Sequence, residues 1–152
     1  MAYDLQTLSD IAEIRQLNAR YNRHADAGEG EAFASNFTED GEFDIGGNGV
    51  YHGREEIASA AAATQVTVHV TAEPEIEVTG DTANQRVRML SLVRQLDKQR
   101  NEFVASGWYI DNLKRTPQGW RYARRCVELD LDIAKVFEKM GIAEAFAKLT
   151  AS

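Results

Sequence analysis

One cysteine and two prolines stand in a chain of 152 residues. Cys126 has no internal partner, which excludes a disulfide framework and Cys-rich zinc sites. With so little proline, scattered glycine and no repeat or low-complexity tract, nothing marks a linker. One domain over residues 1–152 is expected. No apolar run approaches the roughly 20 residues that span a bilayer. Met1 to Asp10 holds no basic segment followed by an apolar run, so no secretory leader is expected and a soluble cytoplasmic protein is the simplest reading. Basic residues are in deficit, with 17 Lys and Arg against 24 Asp and Glu and a net charge of −7. That balance lacks the electrostatic footprint of a phosphate-backbone binder, so neither nucleic acid nor membrane is expected as a partner. Nucleotide and nucleophile motifs are missing too. The Gly46–Gly49 run has no following Lys-Ser/Thr, and there is no Gly-x-Ser-x-Gly elbow and no dinucleotide fingerprint.

What is present fits a folded chain, with 43% hydrophobic and 27% charged residues. A domain near 150 residues buries about two-thirds of its unfolded surface, enough for a core without staples. Leu5, Leu8, Ile11, Ala12, Ile14, Leu17 and Tyr21 recur at three- and four-residue spacing, which predicts a helix over residues 4–27 ended by Gly28 and Gly30. A short helix over 31–37 would bury Phe33 and Phe37. Glu42 to Ile45 alternates as a strand, and a glycine turn leads to Val50 and Tyr51. Residues 53–64 read as helix. Then the period changes. Val66, Val68 and Val70 alternate with Thr67, His69 and Thr71, and Pro74 interrupts the run. Longer strands are predicted over 82–97, 103–115 and 120–130, the last two joined by Thr116-Pro117-Gln118-Gly119. Helical spacing returns over 131–149, broken at Gly141. Helices first, then consecutive strands, then a tail helix imply an α+β fold with a mostly antiparallel sheet. A strongly bent sheet over the long helix would make a cone.

Several segments carry a resemblance. Tyr21-Asn22-Arg23-His24-Ala25-Asp26-Ala27-Gly28 is similar to a helix end with Tyr and Asp five apart before a glycine. Phe37 to Phe43, Tyr51 to Ile57, His69 with Pro74 to Val78, Gly107 to Asp111 and Gly119-Trp120-Arg121 follow in the same order. Together they resemble the SnoaL-like branch of the nuclear-transport-factor-2-like superfamily over nearly the whole chain. The resemblance implies a cone-shaped sheet closed by helices, and commonly a homodimer formed through the sheet's outer face. The scaffold hosts scytalone dehydratase, hexachlorocyclohexane dehydrochlorinase, ketosteroid isomerase and non-catalytic binding proteins, so the site must decide the function.

In the dehydratase and dehydrochlorinase branches a helix-end Asp and a strand His form a dyad, and Asp26 and His69 match those positions. Imidazole is a general base near neutral pH. A carboxylate on one ring nitrogen fixes its tautomer and stabilises the imidazolium that forms. The resemblance therefore implies a cofactor-independent lyase or isomerase with His69 as base and Asp26 as its orienting carboxylate. Its substrate would be a small hydroxylated aromatic or cyclic molecule that loses water, halide or a small carbonyl fragment such as formaldehyde, or shifts a double bond. Tyr21, Tyr51, Trp108, Tyr109, Arg88 and Arg124 are the candidate substrate contacts; arginine would hold a carboxylate or phenolate. The bland readings are a hydrogen-bonded core His69, a capping Asp26, a helix-core Tyr21 and arginines on a solvated outer face. His24 and His52 read as rim and loop residues. Three dispersed histidines lack metal-ligand spacing, so no metal is expected. A polyketide-cyclase-like or epoxide-hydrolase-like enzyme, or a non-catalytic binding or dimerisation module, are the alternatives.

Overall fold

The computed structural model describes residues 2–46, 49–61 and 67–141, without the side chains of Ile133, Phe137 and Met140. Helix α1 spans Leu5–Ala27. The Asp4 side chain accepts the Thr7 N–H at 2.7 Å and caps its start. Gly28, at φ 68°, ends it in the left-handed conformation that glycine adopts without a Cβ penalty. The buried face runs through Asp10, Ile14, Leu17, Asn18, Tyr21 and Ala25. The predicted apolar stripe thus starts late. Leu5 and Leu8 are 86% and 47% exposed.

Helix α2 is Gly30–Ala34 and strand β1 is Phe37–Asp44. The expected helix over 31–37 stops three residues early. Phe33 and Phe37 are both buried as predicted, but Phe37 reaches the core from a strand, 5.8 Å from the Phe33 ring. Strand β2 (Val50–His52) pairs antiparallel with β1, and α3 (Gly53–Ala61) follows directly. A Cβ at Gly30 would sit 2.6 Å from the Ala58 carbonyl oxygen, so α2 and α3 cross at a distance only glycine permits.

Strands β3 (Thr67–Thr71) and β4 (Glu75–Thr79) flank Pro74, and both pair antiparallel with β5 (Thr82–Gln95). Strands β6 (Arg100–Thr116) and β7 (Gly119–Leu129) complete the sheet, and α4 (Ile133–Met140) follows. The order is β2-β1-β7-β6-β5-β3, with β4 also on β5. Among the described residues only the β1–β7 pair is parallel, so the curved sheet is mixed but mostly antiparallel, in the expected α+β arrangement. The predicted tail helix is realised as far as Met140, and Gly141 ends it at φ 73°. Its continuation over 142–149, like Val66 and residues 62–64 of the third helix, lies outside the described residues.

Alternation sets the two faces of the sheet. Ala83, Val87, Met89 and Val93 of β5 are buried, and Leu90 between them is exposed. Tyr21, Phe33, Phe37, Phe43, Tyr109 and Tyr122 form the centre of the core, with neighbouring ring centroids 4.7–6.2 Å apart. Val136 of α4 closes a second cluster against Val93, Val104 and Ala105.

Candidate active site

The last turn of α1 lies against β3. His69 Nδ1 is 2.7 Å from Asp26 Oδ1. The His69 backbone N–H also reaches the carboxylate, at 3.0 Å from Oδ1 and 3.1 Å from Oδ2. An ionised carboxylate only accepts, so opposite it a neutral imidazole carries its hydrogen on Nδ1 and its lone pair on Nε2. One acid therefore fixes the backbone position, ring orientation and tautomer of His69. The side chains are 14% (His69) and 23% (Asp26) exposed, so the pair is largely sheltered from solvent.

Two further contacts hold this pair. Arg94 Nη2 donates to the Asp26 carbonyl oxygen at 2.8 Å and to Thr67 O at 3.4 Å, tying the end of α1 to β3. Its charge also complements the negative end of the helix dipole. One helical turn before Asp26, Asn22 Nδ2 donates to Thr71 Oγ1 at 3.3 Å, while Asn22 Oδ1 is buried without a partner. Asn22 and Thr71 repeat the Asp26–His69 pairing one layer along. A cleft of about 410 Å³ opens beside them, lined by Arg15, Asn18, Asn22, Thr71 and Glu73 among others.

The other predicted contacts scatter. Tyr51 is half-buried, its ring stacked on Phe43 at 6.2 Å and its hydroxyl buried without a partner. Tyr21 and Tyr109 are packed inside the core, 5.6 Å apart. Burial pushes Tyr21 up to about 12 and Tyr109 well above its ordinary value, so both stay neutral. Trp108, expected near the ligand, lies on the outer face beneath Arg86 and Arg88, at 4.0 and 5.1 Å. Trp120 is the core tryptophan, its Nε1 donating to Asp10 Oδ1 at 3.1 Å.

Neither predicted arginine points inward. Arg88 pairs with Asp130 on the outer face, Nη1 to Oδ1 at 3.0 Å. Arg124 pairs with Glu42 and Asp44, at 2.7 and 2.6 Å. The inward arginine is Arg125. The β6–β7 register shifts between Asn112↔Arg124 and Leu113↔Tyr122, which inserts Ala123 as an extra residue. Such a bulge reverses the alternation beyond it and swaps the faces of Arg124 and Arg125.

Arg125 clasps Asp111 through Nε–Oδ1 at 2.8 Å and Nη2–Oδ2 at 2.7 Å. The guanidinium lies 4.0–4.1 Å from the ring centroids of Tyr21, Tyr109 and Tyr122. Asn18 and Gln85 bond each other and this pair. Burial opposes the charge, yet Asp111 holds Arg125 well above its ordinary pKa. Each of these four side chains has hydrogen-bond partners within the network, which fixes their positions in the interior.

His24 contacts Arg23 and Asn36, in keeping with a rim residue, whereas exposed His52 ends strand β2 rather than lying in a loop, 3.8 Å from Glu42. Burial pushes the Cys126 thiol up, which makes it a poor nucleophile. Among the described residues no three His, Cys, Asp or Glu side chains gather as a metal site, and no helix is long and apolar enough to cross a membrane.

Comparison with known proteins agrees with this architecture. The uncharacterized protein Rv2910c of Mycobacterium tuberculosis is 32% identical over 139 residues, which are 88% of this chain and 90% of that one. The structure of Rv3472, a protein of unknown function from M. tuberculosis, superposes with a TM-score of 0.81 at 28% identity, covering 94% of this chain and 91% of the other. An NTF2-like protein with a cystatin-like fold from Novosphingobium aromaticivorans gives 0.76 at 30%, covering 93% and 91%. A type 2 hexachlorocyclohexane dehydrochlorinase (LinA) shares the fold at 0.72 and 21% identity, over 85% and 90%. The model of the SnoaL-like domain family matches residues 6–126, and the chain belongs to that family.

Proposed function

We propose that the protein is a cofactor-independent lyase or isomerase in which His69 is the general base and Asp26 its orienting carboxylate. The observation that carries this reading is the 2.7 Å contact between His69 Nδ1 and Asp26 Oδ1, which leaves Nε2 as the basic atom. Nε2 takes a proton from carbon, and the C–H electron pair becomes the new double bond. The bond to a neighbouring water-forming or halide group breaks, and that group leaves with its electron pair. The proton then passes to the leaving group or to water, restoring neutral imidazole. If it returns to a different carbon, the result is a double-bond shift. Asp26 stabilises the imidazolium in both cases.

The substrate is a small hydroxylated or halogenated cyclic molecule. The fold shared with a hexachlorocyclohexane dehydrochlorinase supports that class. The Asn22 amide oxygen, one helical turn from Asp26 and unpartnered among the described residues, supplies a polar group that can orient it. The protein acts in the cytoplasm as a homodimer. Val70, Leu90 and Phe103, exposed on the outer sheet face, supply apolar surface for pairing. Cyclic alcohols and halides are to be screened for elimination with wild type, His69→Ala and Asp26→Asn. The reading predicts loss of turnover in His69→Ala and a roughly 10²–10⁴-fold drop in Asp26→Asn, both variants staying folded. Full activity in His69→Ala ends it, and saturable binding without turnover in wild type points to a binding module.

A further inference from the structure

A second cleft lies across the sheet from the dyad, where β1 and α3 begin and the β6–β7 turn closes. It has a volume of about 460 Å³, and Thr38, Glu39, Arg54, Gln118 and Arg121 are among its lining residues. The dyad uses β3, at the opposite end of the strand order.

This cleft is lined by two arginines, Arg54 and Arg121, against one carboxylate, Glu39, in a chain of net charge −7. Arg54 donates Nε and Nη2 to the Phe37 carbonyl oxygen at 3.1 and 2.8 Å, which fixes its plane and leaves Nη1 unused. Arg121 donates Nη1 to the Trp120 carbonyl oxygen at 2.8 Å. Its Nε is sealed from solvent and has no hydrogen-bond partner among the described residues. Nε and Nη2 form the edge of the guanidinium that grips two oxygens of one anion at once. Burial, then Arg20 and Arg54, lower the Arg121 pKa, and nearby Glu13 offsets only part of that repulsion. Glu13 itself accepts the Trp120 N–H at 2.8 Å. A solvated surface arginine would turn its Nε to water. Here that N–H is withdrawn from water, with a second guanidinium lining the same cleft.

We propose that this cleft binds a small oxyanion, the carboxylate or phosphate group of a free metabolite, and that Arg121 swings its now sealed Nε edge onto the anion with Arg54 alongside. The site is separate from His69 and Asp26 and does not depend on their chemistry.

The test is a titration of the full chain, labelled with ¹⁵N-arginine, against sodium phosphate and separately sodium acetate at constant ionic strength. The Arg Nε–Hε resonances are followed. The expected result is a saturable shift confined to Arg121 and Arg54. Saturation with phosphate alone names a phosphate site, and saturation with acetate a carboxylate site. Arg121→Lys keeps the charge but loses the fork, and binding should weaken about tenfold or more. Arg54→Gln, judged by the same titration, covers the case in which Arg121→Lys fails to fold. Shifts that stay linear, that spread equally over all arginines, or that survive unchanged in the variants overturn the proposal.

Discussion

Replacing Arg125 with Met should destabilise the fold more than any other single change in the interior. Arg125 and Asp111 are 1% and 0% exposed at their side chains and make two bonds, at 2.8 and 2.7 Å. Methionine fills most of the volume but strands the Asp111 carboxylate, with Gln85 as its remaining side-chain partner. Removing one member of a buried ion pair costs about 3–5 kcal/mol, because the other charge is left uncompensated. The three tyrosine rings also lose the cation they face. A loss of about 4 kcal/mol corresponds to a melting temperature lower by roughly 10 °C in a chain of this length. Urea unfolding should show a lower midpoint with an unchanged slope, since the packed surface is nearly conserved. Adding Asp111→Leu removes the stranded charge and should recover at least half of the loss. A single variant within about 1 kcal/mol of wild type, or a double variant no better than the single, refutes the reasoning.

Three other outcomes follow from the same geometry. Hydrogen bonds from Arg115 hold Asp10 at about 2, below its ordinary 3.8, so the ionised acid stabilises the fold above the unfolded value and that contribution fades as pH falls toward 2. It amounts to about 2 kcal/mol at neutral pH, and the stability lost between pH 5 and pH 2.5, read by urea unfolding, should be smaller in Asp10→Asn than in wild type by about 1.5 kcal/mol. A Cβ at Gly107 would collide with the Glu128 carbonyl oxygen, so Gly107→Ala should cost about 1–3 kcal/mol by thermal melting, and a neutral result would show that β6 and β7 can part locally. Arg94→Gln removes the tie between the end of α1 and β3, and amide exchange at the His69 N–H, which donates to Asp26, should quicken by about tenfold while global stability falls by roughly 1 kcal/mol.

The order of elements was legible because the hydrophobic period changes from helical to alternating near residue 66, and because Pro74 and Gly141 mark real breaks. The parity of β5 also read correctly. Arg86, Arg88 and Leu90 face outward as alternation requires, and the same parity shows that Arg88 could not have been a pocket residue. Alternation failed on β7, since the bulge at Ala123 has no glycine or proline to announce it. Without that extra residue Arg124 would face inward in place of Arg125. Leu5 and Leu8 misled for another reason. Their spacing is that of a buried stripe, but burial depends on whether a neighbouring element extends that far. Asp26 and His69 were found by resemblance. Asn22 was within reach of a simple rule, lying four residues before Asp26 on the same helix face, as Thr71 lies two residues beyond His69 on the same strand face.

The central claim is that Asp26 holds His69 as the Nδ1–H tautomer with a basic Nε2. Imidazole ¹⁵N chemical shifts of the full chain, recorded at a pH where His69 is neutral, read this directly. The account predicts a protonated Nδ1 and a lone pair on Nε2 in wild type, and loss of that preference in Asp26→Asn. An Nε2–H tautomer in wild type, or no change in the variant, would contradict it.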